Sequence, residues 1–376
     1  MFSINATNLH VGGGVQVATS FISELISLIE KDFVDGSLFN VFVSEKVSNC
    51  LDVTTKVELL NMFIVENVHG FSKPSEKTLN IFRSSDVTFT IFGPCYFSLG
   101  KSTHVCGFAQ PWILYPDNEV YLTKGMLRKL LIKSKYFIQY LYFKSSDVLV
   151  VEANHVENQL RKLGYNRKIE VVPNCVSSFY SNADTNVVFG YKGKKTIGFI
   201  GRAYEHKNLA VLKDVNNILL RKYNQKINFL FTLSDLEMLD LKFDIIENFY
   251  SVGEIKPADC IKFYNSIDAT IFPSFLECFS ATPIESIKMN KPIIGSDRHF
   301  LKEFAKEAAL YFDPQNPEDI AEKVNEFFSS KIIREKLLSE CIRVKQNLHD
   351  QTPENRANQY INIMENHSAK KIFKVI

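Results

Sequence analysis

The sequence predicts an α/β protein of two doubly wound, Rossmann-like domains with parallel sheets. Three observations predict it. Short apolar, β-rich runs alternate with longer amphipathic stretches, a pattern that gives parallel sheets covered on both faces. The alternating series occurs twice, on either side of a polar stretch at 174–193. A chain of 376 residues suits two domains of ordinary size better than one. The expected domains are 1–178 and 179–350. A segment 351–376 carries a last helix that crosses back to the first domain.

In the first series, an initial strand leads into a helix over 14–30. There Val15, Ala18, Phe21, Ile22, Leu25, Ile26 and Ile29 recur at helical spacing. Strands are expected at 39–43, 57–65 and 87–92. A helix at about 126–143, a strand at 147–152, a helix at 155–163 and a strand at 169–172 follow. The stretch 174–193 holds Ser177, Ser178, Asn182, Asp184 and two glycines without periodicity, and reads as a linker. The second series has strands at 196–200, 227–232, 269–272 and 292–295. Its helices are expected at 208–223, 258–266, 282–289, 316–329 and 331–347. Thr352-Pro353 is an N-cap followed by the favoured first-turn proline, so a helix 353–366 should close the chain.

Composition narrows the function. Lys and Arg total 44 against 42 Asp and Glu, a net charge of +2, which argues against a basic nucleic-acid binder. The seven cysteines are odd in number and form no C-x-x-C, so neither a disulfide framework nor a zinc site is expected. The N-terminus has no signal-peptide pattern, and no apolar run approaches the roughly 18 residues of a membrane span. A cytoplasmic protein is expected, peripheral to a membrane at most.

Three motifs follow strands, where ligands of doubly wound folds bind. The first is Gly12-Gly13-Gly14-Val15-Gln16, ahead of the 14–30 helix. Glycines allow close approach of a ligand and the helix N-terminus favours an anion, but a simple tight turn explains the run equally well. The second is Gly201 to Asn208, in which Arg202 and Lys207 can hold an anion, although taken alone it reads more often as a solvated basic turn. The third runs from Phe272 to Glu285 and contains two glutamates, Glu277 and Glu285, in an E-x7-E spacing. Free amides of residues 279–282, with Phe279, Ser280, Ala281 and Thr282 around the helix start, offer donors to a phosphate or sugar hydroxyl. Taken alone, Glu285 reads as a first-turn acid that stabilises the helix dipole.

These motifs resemble the family 4 glycosyltransferases of the GT-B fold. The matching residues are Gly201-Arg202 with Lys207-Asn208, the pair Glu277 and Glu285, Pro292 to Asp297, and Val171-Val172-Pro173-Asn174 at the linker entrance. The resemblance implies two domains facing across a cleft. It implies a retaining, hexosyltransferase-type enzyme that moves a sugar from a nucleotide-sugar to a glycan or lipid-linked acceptor. The setting it implies is bacterial surface-polysaccharide (O-antigen or capsule) assembly. By similarity, Arg202 and Lys207 would hold the donor diphosphate and assist its departure. Glu277 would contact the donor sugar, Glu285 the ribose, and Gly13 and Gly14 would approach the diphosphate. No metal and no cofactor is expected, since the nucleotide-sugar is a substrate. A GT-B epimerase or phosphorylase and a non-catalytic sugar-binding scaffold remain the alternatives.

The sequence also departs from the family pattern. Cys278 and Ser280 stand where the family usually has glycines. The loop Gly107 to Trp112 lacks the family's histidine; Gln110 or a backbone group would replace it, with Trp112 also on the acceptor side. His104 is expected inside a strand. His10 and His155 read as structural or solvated, and Tyr204 and Phe279 as core, although either ring could pack on a base or sugar. Asp235-Leu236-Glu237 is set aside as lying in another context. Finally, 124–144 carries Lys124, Arg128, Lys129, Lys133, Lys135 and Lys144, with no acid among them, interleaved with leucines and aromatics. Two readings stay open: a helix with its apolar side in the core, which is commoner, or a helix lying on an anionic membrane.

Overall fold

The computed structural model describes residues 1–176, 180, 187–190, 195–348 and 350–373. Of the expected linker, 177–179, 181–186 and 191–193 lie outside the described residues. The chain forms two compact units. The first comprises 1–114, 127–174 and 351–376, and the second 115–126 and 175–350. The segment 115–126 thus counts with the second unit although it lies far upstream in sequence.

The first unit runs β1 (Phe2–Ala6), α1 (Gly13–Glu30), β2 (Phe39–Val43), α2 (Glu45–Ser48), β3 (Met62–Val65), α3 (Glu76–Ser84), β4 (Val87–Thr90), β5 (Thr103–Gly107), α4 (Pro111–Leu114), α5 (Met126–Lys144), β6 (Val148–Val151), α6 (Asn154–Lys162) and β7 (Lys168–Val171). All its strands pair in parallel, in the order β3-β2-β1-β4-β5-β6-β7. The chain reverses its direction of growth between β1 and β4, which is the switch point where such sheets bind ligands. β1, β2, β4 and β6 are buried at every position; β6 is an unbroken Val/Leu run, whereas β1, β2 and β4 intersperse small polar residues among Val, Ile and Phe. The edge strand β3 is half-exposed and shorter than expected, because Val57–Leu59 forms a 3-10 turn instead.

The terminal helix Pro353–Asn366 belongs to this unit. The Thr352 hydroxyl caps it by accepting from the Asn355 N–H at 3.1 Å, and Pro353 occupies its first turn. The Tyr360 ring meets Phe21 and Phe89 edge-on, at centroid distances of 5.1 and 5.0 Å, and Ile361 and Met364 are buried in the same core.

His104 lies in β5 as expected and is buried, 3.2 Å from the Thr90 hydroxyl. Burial pushes its pKa down to about 4, against a smaller opposing effect of Asp147. The unfolded imidazole takes up a proton below its ordinary value of about 6.5 and the folded one does not. Its contribution is therefore fully present above about pH 6.5 and is lost as pH falls towards 4, by up to about 3 kcal/mol. His104→Gln should flatten the pH dependence of the urea midpoint over that window. An unchanged profile would show that His104 titrates normally.

The second unit repeats the plan with β8 (Thr196–Phe199), α7 (Leu212–Tyr223), β9 (Asn228–Phe231), α8 (Asp235–Asp240), β10 (Phe249–Ser251), α9 (Cys260–Asn265), β11 (Ala269–Phe272), α10 (Ala281–Lys288), β12 (Ile293–Ser296), α11 (His299–Ala305), β13 (Ala309–Phe312), α12 (Pro317–Ser329) and α13 (Lys331–Gln346). The parallel order β10-β9-β8-β11-β12-β13 places its switch point between β8 and β11. Phe229, Phe231, Phe243 and Phe249 form one aromatic cluster in its core, with Ile197, Phe199 and Ile271 beside them. β10, β13 and the short helices α8 and α11 were not foreseen, since three to seven residues carry too little periodicity to read.

Candidate functional site

In the second unit, the loops after β8 and β11 meet at the switch point. The first turns sharply at Gly201, whose φ of 140° favours glycine. The Gly201 N–H donates to the Thr232 hydroxyl at 3.0 Å. A backbone bond joins the two loops, with the Phe275 N–H donating to the His206 carbonyl at 2.8 Å. Lys207 and Glu277 lie on these two loops. Lys207 Nζ contacts Glu277 Oε1 at 2.5 Å, with only 14% and 7% of the two side chains exposed. Lys207 also sits 5.5 Å from the Phe272 ring centroid. A shielded pair of this kind holds a cation in place without solvent.

Arg202 is half-exposed and engages two carboxylates. Its Nε donates to Glu237 Oε1 at 3.1 Å, and its Nη1 pairs with Glu254. Glu237 was set aside on sequence, yet it anchors this loop. It closes a capping box with Ser234 at the start of α8 and accepts from the Ala203 N–H at 2.8 Å. Burial raises the Glu237 pKa, but these donors and Arg202 outweigh it, and the carboxyl lies below its ordinary value.

Glu285 differs from its expected place. α10 begins at Ala281, so Glu285 falls beyond the first turn, which holds no acid. Its Oε2 accepts from the Tyr264 hydroxyl at 2.9 Å. Burial raises its pKa despite the Tyr264 and Tyr180 hydroxyls, which pull it down. The residue as a whole is half-buried. Ser280 caps α10 without a side-chain bond to it, leaving first-turn donors at the end of the β11 loop. Ala281 is half-buried, and the Thr282 hydroxyl reaches the Ile200 carbonyl at 3.5 Å. Phe279 packs edge-on against Phe304, with centroids 5.1 Å apart, in line with a core role. Tyr204 does not: its ring is half-exposed and stacks on His206.

Three neighbours gave no sequence signal. Burial pushes the His206 pKa down to about 4, so its imidazole is neutral beside Lys207. Tyr115 lies near Cys278 and Glu277, and burial raises its hydroxyl pKa. Glu119 pairs with Arg298 after β12.

In the first unit, Gly12 adopts φ 73° and caps α1 with no side-chain bond. A Cβ on Gly13 would meet nothing within 4 Å, whereas one on Gly14 would come 3.2 Å from Leu9. Packing in this unit thus explains Gly14 but not Gly13. Beyond β1 and β4 lies a cavity of about 260 Å³, bordered by Asn5, Asn8, His10, Thr90, Gln110 and Gln139. Among the described residues, no Asp, Glu, Lys or Arg lines it. The oxygens Asn8 Oδ1 and Gln139 Oε1 are buried and have no hydrogen-bond partner among the described residues. His10 stacks on His69 at 3.9 Å and bonds the Val68 carbonyl at 2.9 Å. Trp112 stacks on Tyr136, 5.5 Å between centroids, rather than lining the cavity. His155 is buried in α6.

The second-unit motifs have a counterpart in known proteins. Residues 181–343 match the family model described as glycosyl transferases group 1. No curated protein matches the chain in sequence. The fold does have solved relatives. Sucrose-phosphate synthase from Thermosynechococcus elongatus superposes with a TM-score of 0.68 at 13% identity, over 97% of this chain and 98% of that one. WaaG, a glycosyltransferase involved in lipopolysaccharide biosynthesis, superposes at 0.67 and 12% identity, over 95% and 98%. A trehalose-6-phosphate protein from E. coli, bound with UDP-2-fluoro glucose, superposes at 0.65 and 11% identity, over 99% of both chains. The chain therefore has the GT-B fold, with a glycosyl transferases group 1 domain over residues 181–343, and the two together support a GT-B glycosyltransferase.

Proposed function

We propose that this protein is a retaining glycosyltransferase. It transfers a sugar from a nucleoside-diphosphate-sugar to a glycan or lipid-linked acceptor in surface-polysaccharide assembly. The observation that carries this reading is the Lys207–Glu277 pair between two bonded loops at the β8/β11 switch point, with Arg202 on the first of these loops. The donor diphosphate binds Arg202 and Lys207. Glu277 holds Lys207 ready and accepts from a donor-sugar hydroxyl, and Glu285 accepts from the ribose. Ser280, Ala281 and Thr282 supply backbone donors. As the glycosidic bond breaks, negative charge grows on the diphosphate, and fixed cations stabilise it more than they stabilise the bound donor. The acceptor hydroxyl attacks the same face, which retains the anomeric configuration. The cavity of the first unit, bordered by the amide side chains of Asn5, Asn8, Gln110 and Gln139, suits a neutral acceptor sugar. Gly13 in its open position suits approach to an anion. A UDP-sugar bound by a similar fold and the pathway of WaaG favour this assignment.

Thermal unfolding with a panel of nucleoside diphosphates tests the donor site. One nucleotide should raise the wild-type midpoint, because a ligand that binds only the native state stabilises it. Arg202→Ala should weaken that nucleotide about 10- to 100-fold, the worth of one charge-assisted bond. Its own midpoint should barely move, since half-exposed ion pairs contribute little. If no nucleotide shifts the wild type, the donor-site reading fails.

A further inference from the structure

The helix α5 is inverted relative to an ordinary surface helix. Of its nineteen residues, only Phe143 is fully buried. With about 100° between successive residues, Phe137, Leu130, Leu141, Leu127, Ile138 and Leu131 share an arc of about 120°. That arc faces outward: Leu127 is 74% exposed, Leu131 64% and Phe137 62%. The opposite side is fixed to the body of the first unit. There Tyr136 stacks on Trp112, Gln139 donates to the Tyr96 hydroxyl at 3.0 Å, and the Tyr140 hydroxyl donates to the Leu163 carbonyl at 2.8 Å. Cations border the apolar arc, with Arg128 and Lys135 on one edge and Lys133 and Lys144 on the other. The helix contains no acid. Lys124, expected to belong to this basic surface, does not; its side chain is 5% exposed and pairs with Glu205.

We infer that the outward face of α5 docks on an anionic lipid surface, with the helix in the plane of the interface. An apolar stripe of this breadth rimmed by long cationic side chains lets the stripe enter the acyl boundary while the charges reach up to the headgroups. Charge selects the partner. A second copy would bring the same cations against these, whereas anionic headgroups neutralise them. No helix among the described residues is long and apolar enough to cross a membrane, so the contact is a surface one. The inference does not depend on the donor-site reading.

Sedimentation of the full chain with vesicles of phosphatidylcholine, alone or mixed with phosphatidylglycerol, tests it. Wild type should sediment with the mixed vesicles, less with the neutral ones, and less again as salt is raised. The double variant Leu131→Ser with Phe137→Ser should lose binding to both, with unchanged circular dichroism and thermal midpoint. Arg128→Gln with Lys135→Gln should lower affinity for mixed vesicles about 30-fold, at about 1 kcal/mol per charge. Three results would overturn the inference: no wild-type binding to mixed vesicles at low salt, equal binding by the serine variant, or a lipid-free oligomer that the serine variant dissolves. Nucleotide stabilisation, measured on the same samples, tells failure here from failure of the donor site.

Discussion

Lys207→Ala is expected to lower the stability of the second unit by about 3 kcal/mol and to abolish stabilisation by any nucleoside diphosphate. The two effects have separate causes. Glu277 is nearly fully buried and its Oε1 lies 2.5 Å from Lys207 Nζ. Removing the ammonium strands a carboxylate in a poorly solvated loop, and that desolvation outweighs any packing change. On the proposed donor site, the loss of the nucleotide would reflect the missing phosphate contact. A second variant separates them. Lys207→Met with Glu277→Leu removes both charges and should recover most of the lost stability while leaving the nucleotide without effect. Chemical unfolding with and without nucleotide reads both quantities. If the double variant is as unstable as Lys207→Ala, the pair is not the source of the loss.

Gly107→Ala should be the most damaging single methyl in the first unit. A Cβ there would lie 1.7 Å from the Ile91 carbonyl oxygen and 3.1 Å from a Phe92 ring carbon. The first obstacle is backbone, held in place because the Gly93 N–H donates to the Gly107 carbonyl at 2.9 Å across the β4 and β5 ends. It cannot swing aside like a side chain, so the two strands must part. A loss of about 4 kcal/mol or more is expected, beyond ordinary overpacking. Because Gly107 leads directly into the loop of Gln110, the cavity should lose its shape with it. A thermal midpoint within a few degrees of wild type would contradict the geometry.

The sequence was most legible where burial leaves a repeating mark. The fully buried, mostly apolar strands β6, β8 and β11 and the long helices α1, α12 and α13 follow from apolar runs and helical spacing alone. Edge strands and short helices did not, because half-exposed three-residue strands such as β10 mix polar and apolar positions freely. For the candidate site, Arg202, Lys207, Glu277 and Glu285 could be singled out from motif spacing. Their partners could not. Glu237, Glu254 and Tyr264 reach them across 21 to 52 positions of sequence, through strand pairings that no local pattern reveals. Glu285 shows the limit most clearly. Its spacing from Glu277 is plain, but its acceptance from the Tyr264 hydroxyl comes from a partner 21 positions away that packing alone brings to it.

The placement of the last helix has a consequence for biosynthesis. The first unit lacks its Tyr360 ring, and the cover over Phe21 and Phe89, until the ribosome has made everything up to the terminal segment. At about 5–20 residues per second, the intervening chain takes on the order of ten seconds or more to appear. Over that interval the second unit can finish folding while the first waits with an apolar groove uncovered. The order of completion is thus the reverse of the order of synthesis. A nascent chain stalled before residue 350 should present that groove to chaperones, and a full-length one should not.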